Sequence, residues 1–429
     1  MDCRRELMCC LFTFDVPKTE HVCFESIFGR DLMQQTIQHL QHLSMSNSQM
    51  KIVLSSNAPC RYIRPAVEDY LHRLVALQAS LKKAKSVGYV VKVVNAPHFE
   101  WTSAVEQKDC CDRDVKYSDP TITFQMILAL FALAVAGNAN DAPRQLPNVL
   151  SLSDEGFRDF VNENKNRLIK AAGILHFLAT EVAPTWRPQP PKAGSEKPAI
   201  PLECCPNFLE ALAFVFEAQA YQVTVAMTAK TSDKKEVLAR MCLGITRRYQ
   251  QALEALATCD PNGVPLIDRI RPGFKVYIQS MRYIVNGIAL MFLAESTMKP
   301  SGGSSDATGP APQKANLPKA YALFLRAQHY ATIAQDLVFE ARTWSPSFFE
   351  NPRRGPDASF FGSLYQPGQS KGQQSADDKP ATKKQRSEGE GSIQEMWDDE
   401  KPCNALPDGD SKAAFENLLD RQSFALNEM

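Results

Sequence analysis

Apolar side chains recur every three to four residues along most of this chain, with polar and charged side chains between them. This spacing places the apolar positions on one face of an α-helix. It predicts helices over residues 30–47, 65–85, 120–137, 154–183, 206–228, 233–257, 266–297 and 317–343. The body of the chain is therefore predicted to be mainly α-helical.

The segment 233–257 shows the helical spacing most clearly. Charged residues occupy the positions between its apolar ones, as they do on a helix with one buried face. The apolar positions are Leu238, Met241, Cys242, Ile245, Tyr249, Leu253 and Leu256.

Strand patterns are confined to the first hundred residues. The β-branched run Tyr89–Val94 predicts one short strand, and Cys10–Phe14 predicts a second. Two short strands are too few for a parallel sheet with helical crossovers. The predicted fold is mainly α, a helical solenoid or bundle with a small β-sheet near the N-terminus.

Two changes in composition divide the chain. Residues 299–316 form a loop rich in Gly, Ser and Pro between two helical patterns. Residues 366–429 are poor in apolar side chains and contain 8 Lys and Arg against 13 Asp and Glu, whereas the preceding 365 residues contain 40 against 35. We therefore predict one domain over residues 11–365 and a disordered acidic tail over 366–429.

One part of this tail has a helical pattern of its own. Within residues 411–426, Phe415, Leu418, Leu419 and Leu426 fall near one helical face. Either this segment is part of a disordered tail, or it is an amphipathic ligand for a partner or for the domain itself. The acidic tail and the mildly basic body favour docking within the molecule.

The longest apolar stretch, Ile122–Ala136, contains Gln125 and is shorter than the roughly 20 residues that a membrane span needs. We interpret it as a buried helix. The N-terminal apolar run is interrupted by charges, so a cytoplasmic protein with reduced cysteines is expected. The net charge of 0 argues against a dedicated nucleic-acid binder. Any membrane contact is expected to be peripheral or to occur through a partner.

Motifs for catalysis and for cofactor binding are missing from the sequence. It contains no phosphate-binding glycine loop and no His-Glu-x-x-His motif. Its 12 cysteines include no Cys-x-x-Cys pair, so the usual spacing of zinc ligands is absent. His176 lies among apolar residues and is predicted to be a core histidine. We expect no enzyme activity, no cofactor and no metal site.

Seven stretches, taken in chain order, resemble the motifs of the Bro-one-type domain family. They are distributed in order over about residues 11–365, and none of them would be specific on its own. The stretches are Phe14–Phe28, Ala66–Leu81, Phe99–Trp101, Thr121–Ala139, Leu168–Pro184, Phe208–Val223 and Ala320–Ala334.

The chain departs from the family pattern at two of these motifs. Phe131 is followed by Ala132 where family members often carry Asn. Ala218-Gln219-Ala220 stands where the family has an Ala-Gln-Glu element, so an acidic residue is lost. The resemblance is therefore to the family rather than to any one member.

The resemblance implies a boomerang-shaped domain with a tetratricopeptide-like helical core and a small sheet at one end. It also implies an adaptor that is recruited to endosomal membranes and binds the C-terminal amphipathic helix of an ESCRT-III core subunit. That subunit is of the Snf or charged multivesicular body protein type. The alternative within the same family is a rhophilin-like signalling scaffold with a different partner.

The resemblance also indicates where the partner helix binds. In the family, an apolar residue after the Ala-Gln-Glu element and two apolar residues one turn apart on the next helix form a pocket. These positions correspond to Gln222, with Val223 adjacent, and to Val237 and Met241. The other interpretation of Val237 and Met241 is ordinary helix core.

Overall fold

The structure is a computed structural model that describes most of the first 344 residues. The described residues are 11–28, 32–56, 58–89, 91–108, 111, 113–140, 154–188, 200–298 and 317–344. The predicted tail 366–429, its segment 411–426 and the domain boundary at residue 365 lie outside these ranges. Those predictions remain predictions.

Helices dominate the described part of the chain, as the apolar spacing predicts. They are α1 (Gln34–Ser55), α2 (Cys60–Ser86), α3 (Ile122–Ala134), α4 (Asp154–Phe177), α5 (Pro206–Thr231), α6 (Lys235–Leu256), α7 (Leu266–Arg269), α8 (Pro272–Met298) and α9 (Leu317–Trp344). Single π-helical turns, Val135–Ala139 and Leu178–Val182, extend α3 and α4. Three-residue 3₁₀ turns occur at Phe24–Ser26, Ala183–Thr185 and Leu202–Cys204.

A two-stranded antiparallel sheet lies between α2 and α3. Strand β1 (Phe99–Thr102) pairs with β2 (Lys116–Asp119), with Phe99 opposite Asp119 and Trp101 opposite Tyr117. An isolated bridge joins Thr19 to Trp101 along the other edge of β1. The predicted fold class, mainly helical with a small sheet near the N-terminus, is confirmed.

The predicted strand at Cys10–Phe14 is wrong for its described residues, 11–14, which have no regular secondary structure. The Phe14 backbone N–H donates to Asn140 Oδ1, and the Asn140 side-chain N–H donates to the Phe14 carbonyl, both at 2.9 Å. The side-chain amide of Asn140 thus makes the two backbone hydrogen bonds with Phe14 that a neighbouring strand would otherwise make. The Phe12 ring packs against Phe274 and Tyr277 of α8, so side-chain packing rather than a β-ladder holds this segment.

The predicted strand at Tyr89–Val94 is also wrong. Its described residues form one isolated bridge, between Val93 and Phe28, and Val94 N–H donates to the Ile27 carbonyl at 2.8 Å. A β-branched run favours a strand only where a partner strand lies beside it. Here the neighbouring chain is a 3₁₀ turn, Phe24–Ser26, so the ladder does not extend.

The apolar helix predicted at Ile122–Ala136 is buried, as expected. Within the described residues, two helical stretches, Ile122–Ala139 and Pro272–Met298, are long and apolar enough to cross a membrane by length and composition alone. In the first stretch, 83% of the residues are buried, which identifies it as a core helix of the folded protein. Gln125, its polar residue, accepts from Trp101 Nε1 at 2.6 Å and donates to the Tyr70 hydroxyl at 2.8 Å.

The helices from α4 onward pack in succession. Helix α5 lies between α4 and α6, and α8 packs against both α6 and α9. Buried apolar side chains from Leu11 to Ala334 belong to one hydrophobic cluster. Core packing buries α5 on most of its surface and α6 on one side, so that α6 presents an exposed face.

Candidate partner-binding surface

Helix α6 has one buried face and one exposed face. The buried face carries Leu238, Ala239, Cys242, Ile245, Tyr249, Ala252 and Leu256, which follow the predicted apolar spacing. The exposed face carries Val237, Arg240, Leu243, Gly244 and Arg247. Apolar side chains are therefore present on both faces, which is unusual for a helix whose outer face meets only water.

Val237 and Met241, two of the predicted binding residues, lie on one side of α6 because they are four residues apart. Val237 is 45% exposed. Met241 is half-buried and packs against the hydrophobic core. The structure thus places one of them at the surface and the other at the edge of the core. Their contact with a partner remains a prediction.

Gln222 and Val223, the other two predicted residues, lie inside the protein. Both side chains are fully buried, so neither offers surface to a partner in this structure. The side-chain carbonyl of Gln222 accepts a hydrogen bond from the Tyr249 hydroxyl of α6. The structure therefore places Val237 and Met241 on one side of α6, and it buries Gln222 and Val223 inside the protein.

A buried chain of hydrogen bonds lies beneath α5 and α6. Gln219 Nε2 donates to the Tyr277 hydroxyl oxygen at 2.9 Å, and the Tyr249 and Tyr277 hydroxyls lie 3.0 Å apart. Since Tyr249 donates to Gln222, Tyr277 is the donor to Tyr249. This chain joins α5, α6 and α8. The sequence gives no signal for it, because its members are distant from one another along the chain.

Gly244 extends the side of α6 that carries Val237 and Met241, since it lies three residues after Met241. A Cβ atom at Gly244 would meet no atom within 4 Å, so no packing inside the protein requires glycine here. Glycine within a helix costs roughly 0.5–1 kcal/mol relative to alanine. A position without a side chain would allow the backbone of another chain to approach α6 closely, which would account for a glycine that destabilises the helix.

Val237, Met241 and Gly244 form a strip along one side of α6, and the orientation of α5 against α6 shows which residues flank it. Arg248 Nε contacts Glu217 Oε2 at 2.9 Å, and both residues lie about equally far from the linker 232–234. The two helices are therefore antiparallel. One turn after Glu217 on α5 is Tyr221, which is 39% exposed, and one turn before Arg248 on α6 is Gly244. Tyr221 thus lies across from Gly244.

A charged cluster closes one end of the strip. Glu217 is buried and contacts both Arg248 of α6 and His176 of α4, whose Nε2 lies 3.1 Å from Glu217 Oε1. The Arg248 guanidinium also lies over the Phe214 ring at 5.5 Å. His176, predicted to be a core residue, is half-buried and satisfied by Glu217. Along the exposed face, Arg240 and Arg247 add positive charge.

The opposite flank of α6 faces a separate cleft of about 390 Å³. Residues of α6, α8 and α9 line it, including Leu243, Arg282, Tyr283 and Tyr330. Leu243 is 47% exposed. It projects from the side of α6 away from Met241, so the two flanks can be tested separately.

No group of three or more His, Cys, Asp or Glu side chains is arranged to hold a metal ion within the residues that the structure describes. The seven cysteines in that part of the chain are free thiols: Cys23, Cys60, Cys111, Cys204, Cys205, Cys242 and Cys259. Burial raises the pKa of the Cys205 thiol to about 12, which keeps it protonated and unreactive at neutral pH.

The sequence matches no protein-family model and no curated protein. Solved structures do match the fold. The ALIX BRO1 domain in a complex with CHMP4C superposes with a TM-score of 0.53 at 11% identity, over 82% of this chain and 91% of that chain. ALIX in complex with the SIVmac239 PYKEVTEDL late domain gives a TM-score of 0.50 at 11% identity, over 81% and 46% of the two chains.

A third solved structure, of a Bro1 domain studied for endosomal targeting, gives a TM-score of 0.45 at 12% identity, over 82% of each chain. At these identities the likeness concerns the fold. The chain has the Bro1 fold over about 82% of its length.

Proposed function

We propose that this Bro1-fold protein is a non-enzymatic adaptor that binds the C-terminal amphipathic helix of an ESCRT-III core subunit. In this role it acts in the cytoplasm and is recruited to endosomal membranes for sorting or membrane remodelling. The proposal is supported by the likeness to the ALIX BRO1 domain, which was solved in complex with CHMP4C.

The observation that carries the proposal is the strip Val237–Met241–Gly244 on α6. An amphipathic helix binds by placing a few apolar anchors, spaced three or four residues apart, into a shallow apolar groove. Val237 offers exposed apolar surface, Met241 forms a half-buried floor, and Gly244 leaves room for the partner's backbone. Tyr221, an exposed residue of α5, is expected to flank the strip.

The positive charge beside the strip predicts which charges the partner helix carries. Arg240 and Arg247 lie on the exposed face of α6, beside the strip. A partner helix with acidic residues on the flank of its apolar face would pair with them, which fixes register more than it adds affinity. A basic helix with the same apolar spacing is expected to bind more weakly.

The test is calorimetric titration of the full chain with the C-terminal peptide of an ESCRT-III core subunit. The control is a peptide of identical composition in which the apolar residues are permuted so that they no longer share one helical face. We expect binding of the first peptide and at least tenfold weaker binding of the second. Equal binding of both peptides, or of neither, contradicts the proposal.

A rhophilin-like signalling scaffold with a different partner is the second candidate. The burial of Gln222 favours it, because the residue corresponding to the family's third anchor is polar and offers no surface here. In that case the same strip binds another helix. Failure of all ESCRT-III peptides, together with loss of a different partner on Val237→Asp, would support this candidate.

A further inference from the structure

A second apolar surface lies at the C-terminal end of α2, remote in sequence from α6. Helix α2 ends with Gly88 in the left-handed conformation, at a φ of 75°. The Tyr89 N–H donates to the Ala84 carbonyl at 2.9 Å, and the Gly88 N–H donates to the Lys85 carbonyl at 3.1 Å. This is a Schellman motif, which reverses the chain and turns Tyr89 back along the helix.

The reversed chain forms one side of a cleft of about 400 Å³. Its inner wall includes Phe24 and Phe99, which are buried. Lys85, Tyr89 and Val93 also line the cleft, and all three are exposed. Residues that line a cleft and also face solvent mark its mouth. The mouth is therefore formed by two apolar side chains and one lysine.

Exposed apolar side chains are concentrated around this mouth. Val87 is 73% exposed, Tyr89 67%, Val93 54% and Val94 56%. Single exposed apolar residues are normal on a protein surface, whereas a contiguous group indicates a binding surface. These four fall within eight residues of chain, next to an open apolar cleft.

The chain segment that carries these exposed apolar side chains has charged residues of a single sign. Residues 82–98 contain Lys82, Lys83, Lys85 and Lys92 and no Asp or Glu. All four lysines are exposed, and within the described residues none of them forms an ion pair. Lys83 and Lys85 lie in the last turn of α2, where they also offset the helix dipole.

We propose that this surface docks onto an anionic phospholipid bilayer. The lysines contact headgroup phosphates, while Val87, Tyr89, Val93 and Val94 enter the interface between headgroups and acyl chains. Lysine favours this position because its stem lies along apolar surface while its ammonium stays at the headgroups. Tyrosine is enriched at the same depth of a bilayer. The combination of one charge sign with exposed apolar side chains matches an anionic bilayer better than an acidic peptide, which needs no apolar rim.

This inference does not depend on the proposed function, since it rests on α2 and on residues 87–89 and 91–94 rather than on α6. Direct docking would give the adaptor a membrane contact of its own, in addition to any contact through a partner.

The test is co-sedimentation of the full chain with vesicles of phosphatidylcholine, with and without phosphatidylserine. A lysine beside an anionic surface strengthens binding about fivefold. The double substitution Lys82→Gln with Lys85→Gln, which alters one side of α2, is therefore expected to weaken binding to the anionic vesicles about 25-fold. The control pair, Lys234→Gln with Lys319→Gln, removes two other exposed lysines and is expected to change binding less than threefold.

The apolar part is tested with Tyr89→Ser and Val93→Ser together. This variant is expected to lose the binding to anionic vesicles that persists at high salt, whereas the Lys82/Lys85 variant loses the salt-sensitive part. Circular dichroism and the melting temperature establish whether each variant is folded. If the Tyr89/Val93 variant is unfolded, Val87→Ser with Val94→Ser is tested in its place. Equal sedimentation with and without phosphatidylserine, or equal losses in the control pair, overturns the proposal.

Discussion

The Tyr249 hydroxyl of α6 donates a hydrogen bond to the side-chain carbonyl of Gln222 in α5. Both side chains are fully buried, and the Tyr249 oxygen also lies 3.0 Å from the Tyr277 oxygen of α8. This contact explains why a residue expected to bind a partner lies inside the protein instead. Gln222 supports the surface by holding together the helices that form it.

Tyr249→Phe removes this hydroxyl and little else. We expect the free energy of unfolding to fall by about 1–3 kcal/mol, because Gln222 and Tyr277 each lose a buried hydrogen-bond partner. Urea unfolding followed by circular dichroism measures the change. Tyr321→Phe, at an exposed tyrosine of α9, is the control and should be neutral. A neutral Tyr249→Phe would contradict the role of the buried network.

Val237→Asp is expected to weaken binding of the ESCRT-III peptide by about 1–3 kcal/mol, the range for an interface hot spot. Its melting temperature should stay near that of the wild type, because Val237 is 45% exposed. Leu243→Asp, on the other flank of the same helix, is the matched control and should bind normally. The measurement is calorimetric titration together with a thermal melt of each variant.

Met241→Asp is expected to weaken peptide binding by about 1–3 kcal/mol as well. Because Met241 is half-buried and packs against the core, this variant should also be less stable than Val237→Asp. Calorimetric titration with the peptide at a temperature well below the melting temperature separates the loss of affinity from the loss of stability. If binding falls only in proportion to the folded fraction, Met241 is a core residue and not an anchor.

Gly244→Ala is expected to stabilise the protein by about 0.5–1 kcal/mol, since its Cβ would meet open space on a helix. Gly244→Gln should weaken peptide binding about tenfold by filling the flat position on the strip. Gly88→Ala is the contrasting variant. Its φ of 75° disfavours any side chain, so it should lose about 1 kcal/mol of stability. Unchanged peptide affinity in Gly244→Gln would remove this strip from the interface.

Glu203→Gln is expected to change how stability depends on pH. Complete burial, with the charge of Glu106 as a smaller cause, raises the pKa of Glu203 to about 7. Ser103 and the Ala104 N–H both donate to its Oε1. Between the unfolded pKa near 4.5 and about 7, the folded state binds more protons than the unfolded state, so stability falls as the pH rises.

The glutamine variant lacks this titration. Relative to the wild type it should therefore gain stability, on the order of 3 kcal/mol, as the pH rises from about 5 to about 8. Glu210→Gln, at an exposed position on α5, is the control and should show a flat difference across this range. Chemical unfolding at each pH gives the measurement. A flat difference for Glu203→Gln would show that Glu203 ionises normally.

Deletion of residues 405–429 tests the predicted tail segment, which lies outside the described residues. If the segment at 411–426 occupies the strip on α6, its removal should raise affinity for the ESCRT-III peptide severalfold, because a tethered ligand competes at high effective concentration. Deletion of residues 371–386, a polar stretch of the same tail without the apolar spacing, is the control. Unchanged affinity after the first deletion would exclude self-docking.

The helical periodicity of the chain was sufficient to predict that it is mainly helical. Apolar spacing depends on local geometry, in which residues three or four apart share a helix face, so segments such as 206–228 and 233–257 could be located from the sequence. The buried face of α6 follows the same pattern. Short strands were less predictable, because a strand such as β1 forms only where another strand pairs with it.

The position of each candidate residue relative to the surface was decided by the tertiary structure. The sequence itself determined that α5 and α6 are helices and that Val237 and Met241 share one side of α6. It did not determine that Gln222 turns inward, because this depends on hydrogen bonds to Tyr249 and on the tyrosine of a third helix, α8. Burial is a property of how helices pack on one another, and residues far apart in the chain create it together.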